Sequence, residues 1–240
     1  MAQPDYWWYI ARAGLLDAVL GGYVGSPVRV LDVGSADGPS VGWLRRHDGL
    51  HTTLDIDPRG LSAGGICGSV LALPFPDATF DVVAAFDVVE HCEPEAAALA
   101  ELARVLAPGG RLLLSVPAYQ WAWSDFDEVN GHHRRYTRPR AVRAVEAAGL
   151  TVERATYAFA AVFPFFVAER LARRSGQALM RRPEARPADV VELRPLPGWL
   201  SRTLLWLCTL DRRVLGRRDL PFGSSVLLAA TRLDTGRDLD

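Results

Sequence analysis

The chain has 240 residues, 49% of them apolar and 23% charged, which fits one α/β domain with a modest addition and gives no compositional case for disorder. Its formal net charge is −1 and every basic side chain is arginine, so a phosphate loop that needs a lysine is excluded at once. Three cysteines, Cys67, Cys92 and Cys208, have neither metal-site spacing nor an even count, and this excludes a disulfide framework in favour of a reduced, cytoplasmic setting.

The amino terminus carries Asp5 and aromatics where a secretory leader would have a basic region and an unbroken apolar run, which again leads us to expect a cytoplasmic protein. Residues 4–20 mix Tyr6, Trp7, Trp8 and Tyr9 with Ile10, Leu15, Leu16, Val19 and Leu20. That spacing predicts an amphipathic helix stopping at Gly21-Gly22. The segment 28–33 then reads as a buried strand running into the turn 34–38 and a helix over 39–47. Gly34 can take a positive φ, and Gly38 lets the first helical turn approach a ligand. A dinucleotide fingerprint fails because Ala36 stands at its middle glycine. What remains is a ligand with an adenosine and no pyrophosphate. Asp32, just before the turn, offers a carboxylate to an amine or a hydroxyl.

A second strand is expected at 51–56. Asp55 lies 21 positions after Gly34, where a parallel neighbour brings a carboxylate to ribose hydroxyls, while Asp57-Pro58 turns the chain. Too few residues precede the short strand 65–67 for a full crossover helix. The valine-rich run 80–86 reads as a central strand buried on both faces. A helix over 94–106, a turn at Pro108-Gly-Gly110 and a strand at 111–116 follow. Ligands of an open parallel sheet bind beyond its carboxyl ends, so Phe86, Asp87, Glu90 and His91 should face the chemistry. Residues 117–136 are too polar and aromatic for a core element and too long for a plain connection, which points to function rather than to a solvated loop. A helix at 138–148 and strands at 151–159 and 224–232 complete the pattern.

Five segments in this order resemble the class I S-adenosylmethionine-dependent methyltransferases, in their ubiquinone-pathway-like branch. They are Leu31-Asp-Val-Gly-Ser-Ala-Asp-Gly38, Leu54-Asp-Ile-Asp-Pro58, Leu73-Pro-Phe-Pro-Asp-Ala-Thr-Phe-Asp-Val-Val83, Val88-Val-Glu-His91 and Arg104-Val-Leu-Ala-Pro-Gly-Gly-Arg-Leu-Leu-Leu114. The resemblance covers roughly residues 25 to 155. It implies a Rossmann-like seven-stranded α/β sheet with helices on both faces, an antiparallel last strand and a helical insert at 160–223, all in one domain over 1–240 with a leading helix in 1–22.

It also implies S-adenosylmethionine as cofactor, held by Asp32, Gly34, Ser35, Ala36, Gly38, Asp55, Ile56, Gly68, Ser69, Val70 and Phe86. Ser69 departs from the family's aspartate and offers the adenine amino group only an uncharged acceptor. The long loop is similar to a methyltransferase substrate loop, so Tyr119, Trp121, Trp123, Asp127, His132, Arg134, Arg135 and Tyr136 are expected to line the acceptor pocket. His91 and His132 are the candidate bases for a hydroxyl acceptor, with a structural loop histidine as the competing account of each. Some relatives hold a divalent cation at acid-x-x-Glu-His, matched here by Asp87, Glu90 and His91, although glutamate and histidine beside a helix start are frequent without metal, and no metal is assigned.

The expected function is O-methylation of a small or lipid-linked hydrophobic acceptor. Methylation of carbon or nitrogen, or a non-catalytic membrane-associated protein of the same fold, are the alternatives. Nucleic acid is not an expected partner, because the basic stretch alternates with apolar helix. Between Arg154 and Arg218 there are 13 arginines and 5 acids, an excess of 8, leaving 9 net negative charges elsewhere. With the apolar segments 157–167 and 199–210, both too short to cross a bilayer, this suggests peripheral membrane contact or the entrance to a greasy pocket. Packing on the sheet or in a homodimer is the competing account.

Overall fold

Continuous apolar runs decide the centre of the molecule. Val30, Leu31 and Val33, then 82–86, then 112–116 are buried, as strands covered on both faces must be. The computed structural model describes residues 6–34, 42–61, 63–179 and 196–233, the side chains of 173–179 apart. Its sheet has seven strands in the order β3-β2-β1-β4-β5-β7-β6: β1 (Arg29–Val33), β2 (Leu50–Asp55), β3 (Ile66–Cys67), β4 (Phe80–Phe86), β5 (Leu106–Pro117), β6 (Leu150–Ala158) and β7 (Ser225–Arg232). The first five are parallel to their neighbours, and β7 runs antiparallel to both β5 and β6. The strand order reverses between β1 and β4, and ligands of such sheets bind at that reversal.

Helix α1 (Trp7–Val24) buries Ala11, Leu15, Leu16, Val19, Leu20 and Val24. The stripe continues past the glycine pair, so the helix does not stop at Gly21-Gly22 as expected. It ends at Gly25, whose φ of 65° closes it. Among the described residues the expected helix over 39–47 is a short 3-10 turn, Leu44–Arg46. The second crossover is cut down to another, Pro58–Gly60, capped by the Asp57 side chain.

Strand β5 begins at Leu106 rather than 111. Leu106 pairs with Phe80, and the Pro108-Gly-Gly110 turn forms an irregularity inside the strand. Helices α2 (Glu95–Val105) and α4 (Arg138–Ala147) pack together on the sheet, and Thr137 caps α4 by accepting from the Arg140 N–H. The connection between β5 and α4 is no open loop. It forms a 3-10 turn (Gln120–Ala122) and helix α3 (Asp125–Val129), with Asp127 closing a capping box on Ser124.

The insert between β6 and β7 supplies α5 (Phe163–Leu179) and α6 (Gly198–Leu215). Pro164 sits at the second position of α5, where its missing N–H breaks no helical bond. Helix α6 turns Leu204, Cys208, Asp211 and Leu215 inward and packs on α1. Gly14 makes room there, since a Cβ would lie 3.3 Å from the Arg212 guanidinium. The buried Asp211 carboxylate accepts from the Ala161 N–H at 3.1 and 3.2 Å, tying α6 to the approach to α5. Leu204 is buried and Leu207 half-buried while Trp199 is 68% exposed, so only part of the second apolar segment is core. No helix among the described residues is long and apolar enough to cross a membrane.

Candidate cofactor and acceptor site

The carboxyl ends of β1, β2 and β4 place the expected cofactor residues side by side. Register pairs Asp32 with Thr53 on one side and Ala84 on the other, one residue short of the turn. Asp32 is buried, and burial raises its pKa to about 7 against the pull of Arg45 and Arg12, with Asp55 adding to the rise. An acid half-protonated near neutrality and aimed at a strand end is one that a cationic ligand would ionise.

Gly34 follows at φ 74°, its N–H donating to the Leu54 carbonyl at 2.8 Å. A Cβ there would meet Val88 Cγ2 at 2.4 Å, so glycine is required both by the turn and by the close passage of the next loop. Asp55 accepts from the Asp57 N–H at 2.8 Å, and its own carbonyl accepts from the Gly68 N–H. Ile56 is 75% exposed, whereas Val70 and Phe86 are buried. The Ser69 hydroxyl accepts from the Leu71 N–H at 3.2 Å, turning its own loop. Ser35, Ala36 and Gly38 lie outside the described residues.

Beyond β4 the acid-x-x-Glu-His pattern is split by the fold. Asp87, at φ 58°, turns to Arg12 of α1 at 2.8 Å and accepts from the Ser115 hydroxyl at 2.8 Å. Nothing in the local sequence marks Arg12, because the contact joins α1 to the end of β4, far along the chain. Glu90 is buried, and neither carboxyl oxygen has a hydrogen-bond partner among the described residues. Burial, then the charge of Asp87, pushes its pKa well above the usual carboxylate range.

His132 takes Asp87's place in the cluster. Ligand atoms of Glu90, His91 and His132 all lie within 4.8 Å of one another, and the two imidazoles meet edge to face at 4.6 Å. Burial, then His132, lowers the pKa of His91. The donor set of one carboxylate and two imidazoles within that span suits a divalent cation.

The long loop holds His132 rigidly. Its Nδ1 lies 2.9 Å from Asp127 Oδ1, which also accepts from Arg135 Nε at 2.7 Å. Burial alone would raise the pKa of Asp127, but the bonds from His132 and Arg135 keep it lowered. Arg135 and Tyr136, expected in the acceptor wall, are buried and engaged within the chain. Arg135 also donates to the Ala118 carbonyl, and Tyr136 donates to Glu95 at 2.6 Å. Arg134 pairs with Glu93, and Trp123 donates to Glu128 at 3.3 Å. Tyr119, at φ 61°, stacks on Trp121 and on Tyr157 at 5.6 and 5.3 Å. Sequence reading missed Arg12, Ser115, Tyr157, Phe163 and Phe222. Each reaches the site from a distant element, and only the aromatic clustering of 157–166 could have hinted at it.

A seven-stranded sheet with this order, a glycine at positive φ after β1 and an antiparallel last pair defines a class I methyltransferase fold. Residues 31–114 match the family model described as a methyltransferase domain. The chain is 38% identical over 136 residues to a malonyl-[acyl-carrier protein] O-methyltransferase of Herminiimonas arsenicoxydans, covering 50% of this chain and 51% of that one. It is 28% identical over 150 residues to a sterol 24-C-methyltransferase of Yarrowia lipolytica, covering 54% and 38%. The chain thus spans about half or less of the length of these curated relatives. A geranyl diphosphate methyltransferase solved with GPP and sinefungin superposes with a TM-score of 0.55 at 18% identity, over 93% of this chain and 77% of that one, a likeness of fold.

Proposed function

We propose that the chain is an S-adenosylmethionine-dependent O-methyltransferase of a small or lipid-linked hydrophobic acceptor, acting as one domain over residues 1–240. The observation that carries this reading is the fixed imidazole of His132. A carboxylate at Nδ1 requires the proton on that nitrogen, which leaves Nε2 as the proton acceptor. Bound S-adenosylmethionine would supply a methyl group already activated on a sulfonium.

Asp32 and Asp55 would face its cationic and ribose parts, the turn 34–38 would leave it room, Ile56, Gly68, Ser69 and Val70 would flank its base, and Phe86 would face the reacting methyl group. His132 would take the proton of the acceptor hydroxyl at Nε2, which frees an oxygen electron pair for the activated methyl group. Positioning accounts for most of the barrier lowering, about 7 to 11 kcal/mol at best. Relatives named for O- and for C-methylation carry the same domain, and a fixed base favours oxygen. Buried acids such as Asp32 and Glu90 cost stability and collect at functional sites, which weighs against a non-catalytic role.

The unpartnered Glu90 favours one second reading. Glu90, His91 and His132 would hold a divalent cation, which would acidify a bound hydroxyl. The test is product formation from hydroxyl acceptors by the protein with and without chelator, beside the His132→Ala variant. We expect chelator resistance and a loss of about 10² to 10⁴ in kcat on substitution, with cofactor affinity kept. Loss of activity on chelation would select the cation, and full activity of His132→Ala would return the reaction to carbon or nitrogen.

Peripheral contact with an anionic membrane goes with a lipid-linked acceptor. On α6 the exposed positions Trp199, Arg202, Trp206 and Arg213 follow helical spacing, and the helix's own carboxylate, Asp211, faces inward. Tryptophan beside arginine on one face suits the interface of an anionic bilayer.

A further inference from the structure

Phe163, at the start of α5, is the centre of an aromatic cluster that proton transfer does not use. Its ring lies 5.6 Å from Tyr119, 5.6 Å from Phe222, 5.9 Å from Phe166 and 6.3 Å from Trp121. The rings come from four places in the chain: after β5, at the end of β6, on α5 and just before β7. The Ala118 N–H donates to the Ser224 carbonyl at 2.9 Å, and Tyr157 bridges to Leu220, so all four meet on the side of the sheet where β4 and β5 end.

One side of the cluster is core, with Tyr157 buried under Tyr119. The other is open, with Trp121 42% and Phe222 45% exposed. Packing α5 onto the sheet needs the first side and not the second. The open rings share no plane, since Trp121 stands at 74° and Phe222 at 40° to Phe163. A flat ligand could not stack on both exposed rings at once, because those rings are not parallel, whereas methylenes gain from any apolar surface they cover. Two cations border the rings, Arg138 over Tyr157 at 5.9 Å and Arg170 over Phe166 at 5.0 Å, and Arg170 also faces the Glu169 carboxylate at 3.7 Å.

We propose that this cluster is a binding site for an unbranched hydrocarbon chain carried by the methyl acceptor, with Trp121 and Phe222 as its exposed walls. The inference rests on the assignment of Tyr119 and Trp121 to the acceptor loop. It adds that acceptor selectivity is read by chain length.

The test titrates the full chain with sodium n-alkanoates and with 1-alkanols of six to twelve carbons, below their micelle concentrations, and titrates S-adenosylmethionine into the same preparation. Affinity should rise about three- to fourfold per added methylene in both series. Trp121→Ala and Phe222→Ala, at exposed positions that leave the fold intact by melting curve, should flatten that rise, while Trp206→Ala on α6 should not. A flat series in a protein that binds S-adenosylmethionine overturns the site, as does an unchanged slope in both alanine variants. A steep series in a protein that does not bind S-adenosylmethionine keeps the site and removes the methyltransferase reading instead.

Discussion

Two aspartates at neighbouring strand ends are asked to do different work, and their environments separate them. Asp55 is half-buried at the end of β2 and accepts the Asp57 N–H, which orients its carboxylate at the strand end. Asp55→Ala should weaken S-adenosylmethionine binding by about 1.5 to 3 kcal/mol for each charge-assisted bond lost, and unchanged affinity in a calorimetric titration would remove the ribose assignment. Asp32 is the buried one. Its carboxyl holds a proton in the fold up to a pKa of about 7, whereas the unfolded chain releases it near 3.8.

The folded state therefore binds the extra proton between those values, and stability contributed by Asp32 falls as pH rises through that window and is flat above it. The full loss is on the order of 4 kcal/mol at most. Asp32→Asn should flatten the stability profile between pH 4 and 7 and raise the melting temperature at pH 8. A variant that is less stable at pH 8 would show that the acid is ionised and satisfied in the native protein. The same logic makes cofactor uptake release protons near pH 6, which is read as a dependence of the binding enthalpy on the ionisation enthalpy of the buffer.

At the scale of the element, α6 is apolar on two sides for two reasons. Leu204, Cys208 and Leu215 close the groove against α1, and that side needs no partner outside the chain. Trp199 and Trp206, 68% and 58% exposed, face away from it with Arg202 and Arg213. Each arginine near an anionic surface contributes about 1 kcal/mol, and the tryptophans add apolar burial. Sedimentation with vesicles should show binding that increases with anionic lipid and weakens with salt, because the surface field decays over about 8 to 10 Å at such ionic strengths. Replacing Trp199 and Trp206 together by alanine should abolish it without unfolding the protein. No binding at low salt, together with a stable dimer in solution, would assign this face to a second copy. Helix α1 is held differently, through Arg12 to Asp87 just beyond the central strand.

For the whole molecule, a cofactor that binds only the folded state must stabilise it. Saturation at 100 times Kd adds about 2.7 kcal/mol, which for a domain of this size raises Tm by roughly 5 to 10 °C. A melting curve indifferent to S-adenosylmethionine would leave the fold and remove the cofactor. The parallel strands, the glycine turn after β1 and the acid at Asp55 were legible from the chain alone, because each depends on residues within a few positions and on a period that the backbone imposes. Pattern also located the second helix of the insert, whereas the first apolar segment, 157–167, spans the end of β6 and only the start of α5.

What pattern could not give is which acid meets which cation. Asp87 looked like a partner of Glu90 and His91, but a positive φ turns it to Arg12, while His132 arrives from the long loop to take its place. Arg135 and Tyr136 read as exposed site residues in a polar stretch, yet the ion pair with Asp127 and the bond to Glu95 let them be buried. The sequence determined the local elements and their order, since propensity, turns and periodicity are short-range. Only the tertiary structure decided how the charges are paired and which faces are covered, because those energies depend on burial and on contacts between residues scores of positions apart.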